Sequence, residues 1–408
     1  MSDLKTIRGM PDLYGENIEA ISMVEETCLK TFKSFNFQEF RTPVLENKSL
    51  FDRSVGESSD IMQKEVYEFK DRKDELLCLR PEGTAGLVRA LITNGLDNDE
   101  IKKFYYLGPM FRYERPQKGR KRQFFQAGVE LIGDESSDAD IEIILIANTI
   151  LKKLNIKSKL QLNYLGDKKS LQKYNEYLKE YLSETSNLPK YVMKNPIRAL
   201  DSKDESIKNI MSKAESIKNF LNKTQLEEFK KIKSKLDNIG IEYEENTSLV
   251  RGLDYYNGLV FEFLSDDLGA QNAILGGGRY DGLIKNLGGR DLSATGFALG
   301  IDRLADIVKL SSIEKDLFIG CVDKESRTYA QALGYKIRKD NSLLVVENYL
   351  GNANVGKQLK KADSQGFKFA IIVGQDELKS KTLKLKNLRE DKPDLELKEK
   401  DLLEYFEC

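Results

Sequence analysis

Between Leu107 and Glu130 the sequence reads LGPMFRYERPQKGRKRQFFQAGVE. Arg112, Arg115, Lys118, Arg120, Lys121 and Arg122 place six cations within eleven residues, opposed only by Glu114. Apolar runs flank them, Phe104 to Leu107 before and Phe124 to Val129 after, with Pro116 and Gly119 marking a turn between. The pattern predicts two antiparallel strands joined by a basic loop. Such an element suits phosphate chemistry. A strand holds an arginine stiffly, its planar fork grips a phosphate through two hydrogen bonds, and the loop reaches toward a larger polyanion. Three other segments carry reactive or ligand-binding residue types. They are RPEGT from Arg80, RGLDYY from Arg251 with LGGGRYDGL from Leu275, and GFALGIDR from Gly296 to Arg303. Taken singly, each has a plain alternative: a solvated surface, a hairpin, a glycine turn, a cation on a helix surface.

Composition narrows the chemistry further. The 408 residues contain no histidine, which removes the commonest general base and metal ligand. A Ser-His-Asp triad and a histidine-bound zinc are excluded, leaving carboxylates, arginines, tyrosines and Mg²⁺. Cys28, Cys78, Cys321 and Cys408 are scattered without a C-x-x-C pair, so neither disulfides nor a cysteine metal site is expected. The net charge of −1 gives no global attraction for nucleic acid, so a polyanion must be met by a local patch such as Arg112–Arg122. No apolar run is long enough for a bilayer, and MSDLKTIRGMPDLYG has no signal core, so a cytoplasmic protein is expected.

The elements that must position these residues are visible in part. Ile18, Ile21, Val24, Cys28 and Phe32 recur on one helical face, predicting a helix over Glu16–Ser34, followed by a short strand Gln38–Thr42 that ends at Pro43. LLCLR from Leu76 predicts a strand turning through Pro81–Thr84 into a helix. Residues 167–245 are rich in Lys, Glu, Ser and Asn with a helical pattern, and Thr224 with Glu227 suggests a capping box. This stretch reads as an inserted helical module, either a solvated surface or an RNA contact. Asn257-Gly258 between apolar runs signals a hairpin, and Leu275–Leu283 a glycine-rich turn. Gly296, Ala298 and Gly300 are small enough for a helix to lie close on a sheet. After a linker over Lys309–Asp316, strands at Leu317–Val322, Ser342–Val346 and Phe367–Val373 alternate with helices at Glu325–Leu333 and Asn354–Ser364. That alternation predicts a separate parallel α/β domain.

In this order the four segments resemble the class II aminoacyl-tRNA synthetases, and specifically the histidyl-tRNA synthetase family, over nearly the whole chain. RGLDYY followed by GGGRYDGL is the most specific part, reinforced by FRYERPQKGR and RPEGTAG, and the tail from Val355 looks like the family's anticodon-binding domain. The resemblance implies an α+β catalytic core on an antiparallel sheet (1–312, with the helical insertion at about 167–245) and a C-terminal α/β anticodon-binding domain (313–408). It implies a ligase that turns L-histidine and ATP into histidyl-adenylate and pyrophosphate, then passes histidine to the 3′ end of tRNA(His). Carried over by position, Arg112 holds the α-phosphate and stacks near the adenine. Arg251 sits against the carboxylate and α-phosphate where relatives use a metal, and Arg303 holds the γ-phosphate. Glu82 and Thr84 match contacts to the α-amino group, Gln126 a residue near the carboxylate, and Glu130, Tyr255 and Tyr256 the imidazole pocket. Gly83 and Tyr280 complete the substrate-binding set. Gln117 and Arg122 match loop positions near the extra 5′ guanosine of the tRNA and its partner. ATP brings Mg²⁺, no protein-bound metal is expected, and the family is a homodimer. Two rivals share parts of this pattern. The paralogous regulatory subunit of ATP phosphoribosyltransferase typically lacks the anticodon domain and several catalytic residues, whereas this chain keeps Arg112, Arg251 and Arg303. A class II synthetase for another amino acid is opposed by RGLDYY and Glu130. A non-catalytic RNA-binding scaffold fits poorly with near-neutral charge.

Many relatives carry histidine where Tyr113 and Phe125 stand here. Both replacements are aromatic, so shape is kept while a titratable proton is lost. We hypothesise deliberate or selected depletion, which lets the chain be translated without its own product. The prediction is that Tyr113→His and Phe125→His leave histidylation rates essentially unchanged; a large gain would show instead that losing the imidazoles costs function.

Overall fold

The computed structural model describes residues 4–407 except 57–60, 118, 184, 186, 187, 190, 191, 194, 203, 270, 271, 311–314 and 342. The chain divides into two compact units, Met1–Leu310 and Ser311–Cys408.

In the first unit, helix α1 (Glu16–Ser34) buries Ile21, Val24, Cys28 and Phe32, while Ile18 stays partly exposed at its first turn. Strand β1 (Gln38–Glu39), at the edge of the main sheet, is shorter than the sequence pattern suggests, because only these residues pair, in parallel, with Phe104 and Tyr105. A small antiparallel sheet follows, made of β2 (Leu45–Asn47), β3 (Glu68–Lys70) and β4 (Leu76–Leu79), with helix α2 (Lys48–Val55) between its first two strands. Helix α3 (Thr84–Thr93) starts directly after the Pro81–Gly83 turn.

The main sheet has eight strands. Beside β1 lie β5 (Lys102–Phe111) and β6 (Gln123–Ile132), the two strands that carry the basic loop between them. Helix α4 (Ser137–Lys153) precedes β7 (Lys159–Tyr164), and β8 (Glu244–Glu245), β9 (Asn257–Leu264), β10 (Ala273–Arg279) and β11 (Ala294–Gly300) complete the set. The spatial order is β1-β5-β6-β11-β10-β9-β7-β8, antiparallel except at the two ends. Side chains alternate across a strand. Tyr105, Ala127, Val129, Phe297, Leu299, Phe261, Phe263 and Leu162 therefore face one way and form a single buried core with α1, α4 and the helix Lys223–Ile239. The opposite face is left for the residues that alternate with them.

Between β7 and β8 lie α5 (Lys168–Ser183), a 3₁₀ turn Pro196–Asp201 and helix Glu205–Met211 around their own apolar cluster, followed by the helix Lys223–Ile239, which packs on the main core instead. The capping box of the last helix sits two residues earlier than Thr224 and Glu227: Asn222 accepts from the Gln225 amide at 3.0 Å, and Gln225 returns a bond to the Asn222 amide at 2.9 Å.

Three sequence expectations are corrected. Asn257-Gly258 is not a hairpin turn. Residues 251–256 are irregular and β9 starts at Asn257, whose side chain donates to the Asp281 carbonyl at 2.7 Å. Gly258 supplies the positive φ of 56° needed where its backbone pairs with Gly166 and Leu165. Gly276–Gly278 lie inside β10, and the turn begins only after Arg279. Gly296, Ala298 and Gly300 do not admit a helix. They share the face opposite Phe297 and Leu299, away from the helical core.

In the second unit β12 (Lys315–Cys321) lies between β13 (Val346–Asn348) and β14 (Phe367–Val373), all parallel, with β15 (Thr382–Asn387) and β16 (Leu395–Lys398) added antiparallel. Helices Lys324–Asp340 and Val355–Ser364 connect the parallel strands. The strand expected at Ser342–Val346 begins only at Val346. Before it, the Val345 carbonyl takes two amides, Asp316 and Leu317, rather than entering a regular ladder. Residues 311–314 of the expected linker lie outside the described residues.

Candidate active site

The open face of the main sheet is floored by small residues. Across β5, β6, β11 and β10 the register aligns Tyr106, Gly128, Ala298 and Gly276, and beside them Gly108, Gln126 and Gly300. A β-carbon on Gly276 would stand 2.0 Å from an Arg251 nitrogen, and one on Gly296 would stand within van der Waals overlap of the Glu130 carboxylate. The glycines thus leave room for functional side chains arriving from neighbouring strands.

Above this floor is a cavity of about 210 Å³. Arg112, Arg251 and Arg303 all line it, together with Glu82, Thr84, Gln126, Tyr255 and Tyr256. Arg112 follows the end of β5. Its Nε donates to the Pro81 carbonyl at 2.9 Å and its guanidinium lies 5.3 Å from the centre of the Phe124 ring. Arg251 donates to Glu262 Oε1 at 2.5 Å, while its buried Nε has no partner among the described residues. Burial opposes the charge on Arg251, but Glu262 and the nearby tyrosine hydroxyls outweigh it and raise its pKa. Arg303, in the short helix after β11, donates from Nε to the Gly119 carbonyl at 3.0 Å and from Nη1 to the Ala273 carbonyl at 2.5 Å. Burial, then the charges of Arg120 and Arg112, lower its pKa. Carbonyl oxygens orient a guanidinium without neutralising it, so the site's positive field survives.

A second group gathers around Glu82 and Glu130. Glu82 accepts the Thr84 and Ala85 amides at 2.7 and 2.8 Å, capping α3, and burial nonetheless raises its pKa. Glu130 is 1% exposed and accepts Thr84 Oγ1 at 2.7 Å and the Tyr280 hydroxyl at 2.6 Å. Burial pushes its carboxyl up to about 8, against the pull of those two hydrogen bonds. Tyr255, Tyr256 and Tyr280 pack as one aromatic cluster with ring centres 4.7 to 6.4 Å apart. Glu130, Gly83 and Tyr280 stand behind the cavity wall rather than on it. Gly83 is there for space: a β-carbon would meet the Tyr106 ring at 2.2 Å. The amide oxygen of Gln126 is buried without a partner among the described residues, free to meet a donor on a ligand.

Gln117 and Arg122 are not brought into this cavity. Gln117 is on the exposed loop, beside Thr6–Pro11 of the N-terminal arm. Arg122 stacks on the Tyr113 ring at 3.8 Å, with Tyr113 itself 53% exposed.

Two residues that carry the site are not legible from the sequence. Asp302 accepts Lys121 at 2.7 Å and the Phe125 amide at 2.6 Å, tying the basic loop to the Arg303 helix. Tyr106 stands between Gly83 and Gly128, which both approach its ring. The signal for Asp302 is its place beside Arg303; Tyr106 carries none beyond its position in a strand.

The match to known proteins agrees with this arrangement. Residues 9–304 match the family model described as histidyl-tRNA synthetase, and residues 316–408 the anticodon binding domain. The chain belongs to the histidyl-tRNA synthetase family. A histidine–tRNA ligase of Francisella philomiragia is 41% identical over 421 residues, covering 100% of this chain and 99% of its own. One from Hydrogenovibrio crunogenus is 40% identical over 400 residues, covering 95% and 94%. The crystal structure of apo S. aureus histidyl-tRNA synthetase superposes with a TM-score of 0.82 at 32% identity, covering 99% of this chain and 100% of that one. Within this synthetase fold the open sheet face is the candidate active site.

The raised pKa of Glu130 has a testable sign. The folded chain holds this proton up to about pH 8, whereas an unfolded carboxyl loses it near its ordinary value of 4.5. The resulting stabilisation is complete below that lower value and disappears as pH rises through 8. Urea unfolding of the first unit should therefore weaken more between pH 5 and pH 8.5 in the wild type than in Glu130→Gln, which cannot titrate. Equal pH dependence in both proteins contradicts a buried, protonated Glu130.

Proposed function

We propose that histidine attacks ATP in the cavity lined by Arg112, Arg251 and Arg303. The chain is a histidine–tRNA ligase, so the site must serve two steps. In the first, a carboxylate oxygen of histidine bonds to the α-phosphorus of ATP and pyrophosphate leaves. In the second, the 3′-terminal hydroxyl of tRNA(His) attacks the carbonyl carbon and AMP leaves. The attacking carboxylate is already an anion, so neither a protein nucleophile nor an imidazole base is required for activation. The barrier comes from bringing anions together and aligning them, which fixed cations lower.

The observation that carries this reading is the convergence of three arginines from distant parts of the chain on one cavity, each oriented by a carbonyl or a carboxylate. Arg112 takes the α-phosphate, with the adenine beside Phe124. Arg251 bridges the histidine carboxylate and the α-phosphate, and Arg303 takes the γ-phosphate. Mg²⁺ enters with ATP as part of the substrate, covering phosphate oxygens the arginines leave open. Glu82 and Thr84 receive the α-amino group and Gln126 the carboxylate end. Glu130, Tyr255, Tyr256, Tyr280 and the space kept by Gly83 form the imidazole pocket. A neutral imidazole offers one donor and one acceptor, and a site built for both rejects an apolar amino acid strongly. Gln117 and Arg122 meet the acceptor end of tRNA(His) from the loop. We assign the anticodon contact to residues 313–408, and the catalytic steps to 1–312 with the module at about 167–245.

We also propose a homodimer. The outer face of the β2-β4-β3 sheet carries Leu45, Phe69, Leu77 and Leu79 in register, and Leu45 and Phe69 are 40% and 45% exposed. A second copy of the chain covers that apolar face.

Histidine-dependent ATP–pyrophosphate exchange tests the reaction. The wild type should exchange with histidine alone in an amino-acid panel and only with Mg²⁺ present. Arg251→Ala should lower kcat by about a hundredfold or more with a smaller change in KM, as for an interaction made mainly in the transition state. Exchange without histidine, or an unaffected Arg251→Ala, would sink the assignment. Gln117→Ala should slow aminoacylation while leaving exchange intact; equal effects on both would remove it from tRNA contact. For the dimer, Phe69→Glu should give a monomer in equilibrium sedimentation where the wild type is twice that mass, and a dimeric variant would move the interface elsewhere.

A further inference from the structure

The segment that carries Arg251, Tyr255 and Tyr256 has no ladder to hold it. Residues 251–256 form neither strand nor helix, although they deliver Arg251, Leu253, Tyr255 and Tyr256 to the cavity. Something else must fix them, because a displacement of about 1 Å costs roughly a hundredfold in rate.

The inserted module provides the hold. Its short 3₁₀ helix Pro196–Asp201 buries Ala199 in the module's own apolar cluster. That cluster also takes in Leu249 and Val250, the two residues just before Arg251. From this helix Arg198 reaches across. Its Nη1 donates to the main-chain carbonyl of Arg251 at 2.6 Å, and its Nη2 to Asp254 Oδ1 at 2.7 Å. Asn195 adds a bond to the same Asp254 oxygen at 3.2 Å. The two acceptors lie three residues apart, so one planar fork spans the bend. On the far side Asp254 meets the end of α2: its amide points at the Val55 carbonyl at 3.4 Å, and a β-carbon on Gly56 would stand 2.5 Å from its carboxylate.

We propose that Arg198 is a positioning residue for histidine activation, through which the inserted module sets the placement of Arg251, Tyr255 and Tyr256. The inference rests on the role given to Arg251 above. The module is therefore part of the activation site and not only a solvated surface or an RNA contact, the two readings its composition left open.

The test uses the full chain in histidine-dependent pyrophosphate exchange and needs no tRNA. Arg198→Ala should lower kcat by about tenfold to a hundredfold, with KM for ATP changed less than threefold. Arg198→Lys, which can reach only one of the two acceptors, should fall between. The discriminating measurement is a double-mutant cycle in single turnover. If Arg198 acts through Arg251, adding Arg198→Ala to Arg251→Ala should change the rate less than twofold. An unaffected kcat, or the same fold loss in both backgrounds, overturns the proposal. Should Arg198→Ala fail to fold, Asp254→Asn removes the charge at the other end without opening a cavity. It should give a loss of similar size that vanishes in the Arg251→Ala background, and an additive loss again overturns the proposal. A wild type that shows no histidine-dependent exchange refutes the role of the cavity itself, a result separate from any of these.

Discussion

Three guanidinium groups must be held around one cavity before any anion arrives to neutralise them. Like charges brought together out of water repel, and the fold answers with partners graded in charge. Arg112 and Arg303 are oriented by neutral carbonyls, those of Pro81, Gly119 and Ala273. Arg251 has the full carboxylate of Glu262. A carbonyl fixes direction and leaves the cationic charge available to a phosphate, whereas Glu262 offsets the charge it holds. The arrangement is preorganised, so little reorganisation remains for the moment of reaction. It also constrains the sheet beneath. Functional side chains need volume above the strands, and on the face opposite the core Gly276 provides it for the Arg251 guanidinium and Gly296 for the Glu130 carboxylate.

The carboxyls beside the cavity follow the opposite logic. Glu82 and Glu130 are acids placed in dry surroundings, and burial raises both carboxyl groups. Each is kept in position by hydrogen-bond donors from one turn, the Thr84 and Ala85 amides for Glu82 and the Thr84 hydroxyl for Glu130. Thr84 is thus shared between the helix cap and the pocket, and a single turn at the start of α3 aligns both. The cavity thus combines guanidinium groups that keep their charge with buried, hydrogen-bonded carboxyls whose ionisation burial opposes.

How much of this is legible in the sequence depends on whether the signal is local. The α1 stripe and the strand-loop-strand of Arg112 are local patterns that match the structure, because periodicity and turn residues report directly on nearby backbone. Asn257-Gly258 misleads because a hairpin and a strand start use the same positive φ. What distinguishes them is the pairing of Gly258 with Leu165 and Gly166, residues far earlier in the chain. The run Gly276–Gly278 suggests a turn because glycine usually marks one, whereas here it leaves space that Arg251 and Phe297 fill. Asp302 and Arg198 act through contacts 177 and 53 residues away in the chain, and nothing in their immediate surroundings reports a partner.

The absence of histidine from this chain is consistent with the same physics. The positive charge belongs to guanidinium groups that do not titrate near neutrality. The aromatic surface at position 113 remains, and Arg122 stacks on it at 3.8 Å. Position 125 lines the cavity, but its amide, which any residue except proline supplies, is what Asp302 grips at 2.6 Å. A reaction whose nucleophile is the substrate's own carboxylate requires fixed charge and alignment. Both are delivered here by backbone carbonyls, a carboxylate and glycine-made space, none of which asks for a group that changes protonation at neutral pH.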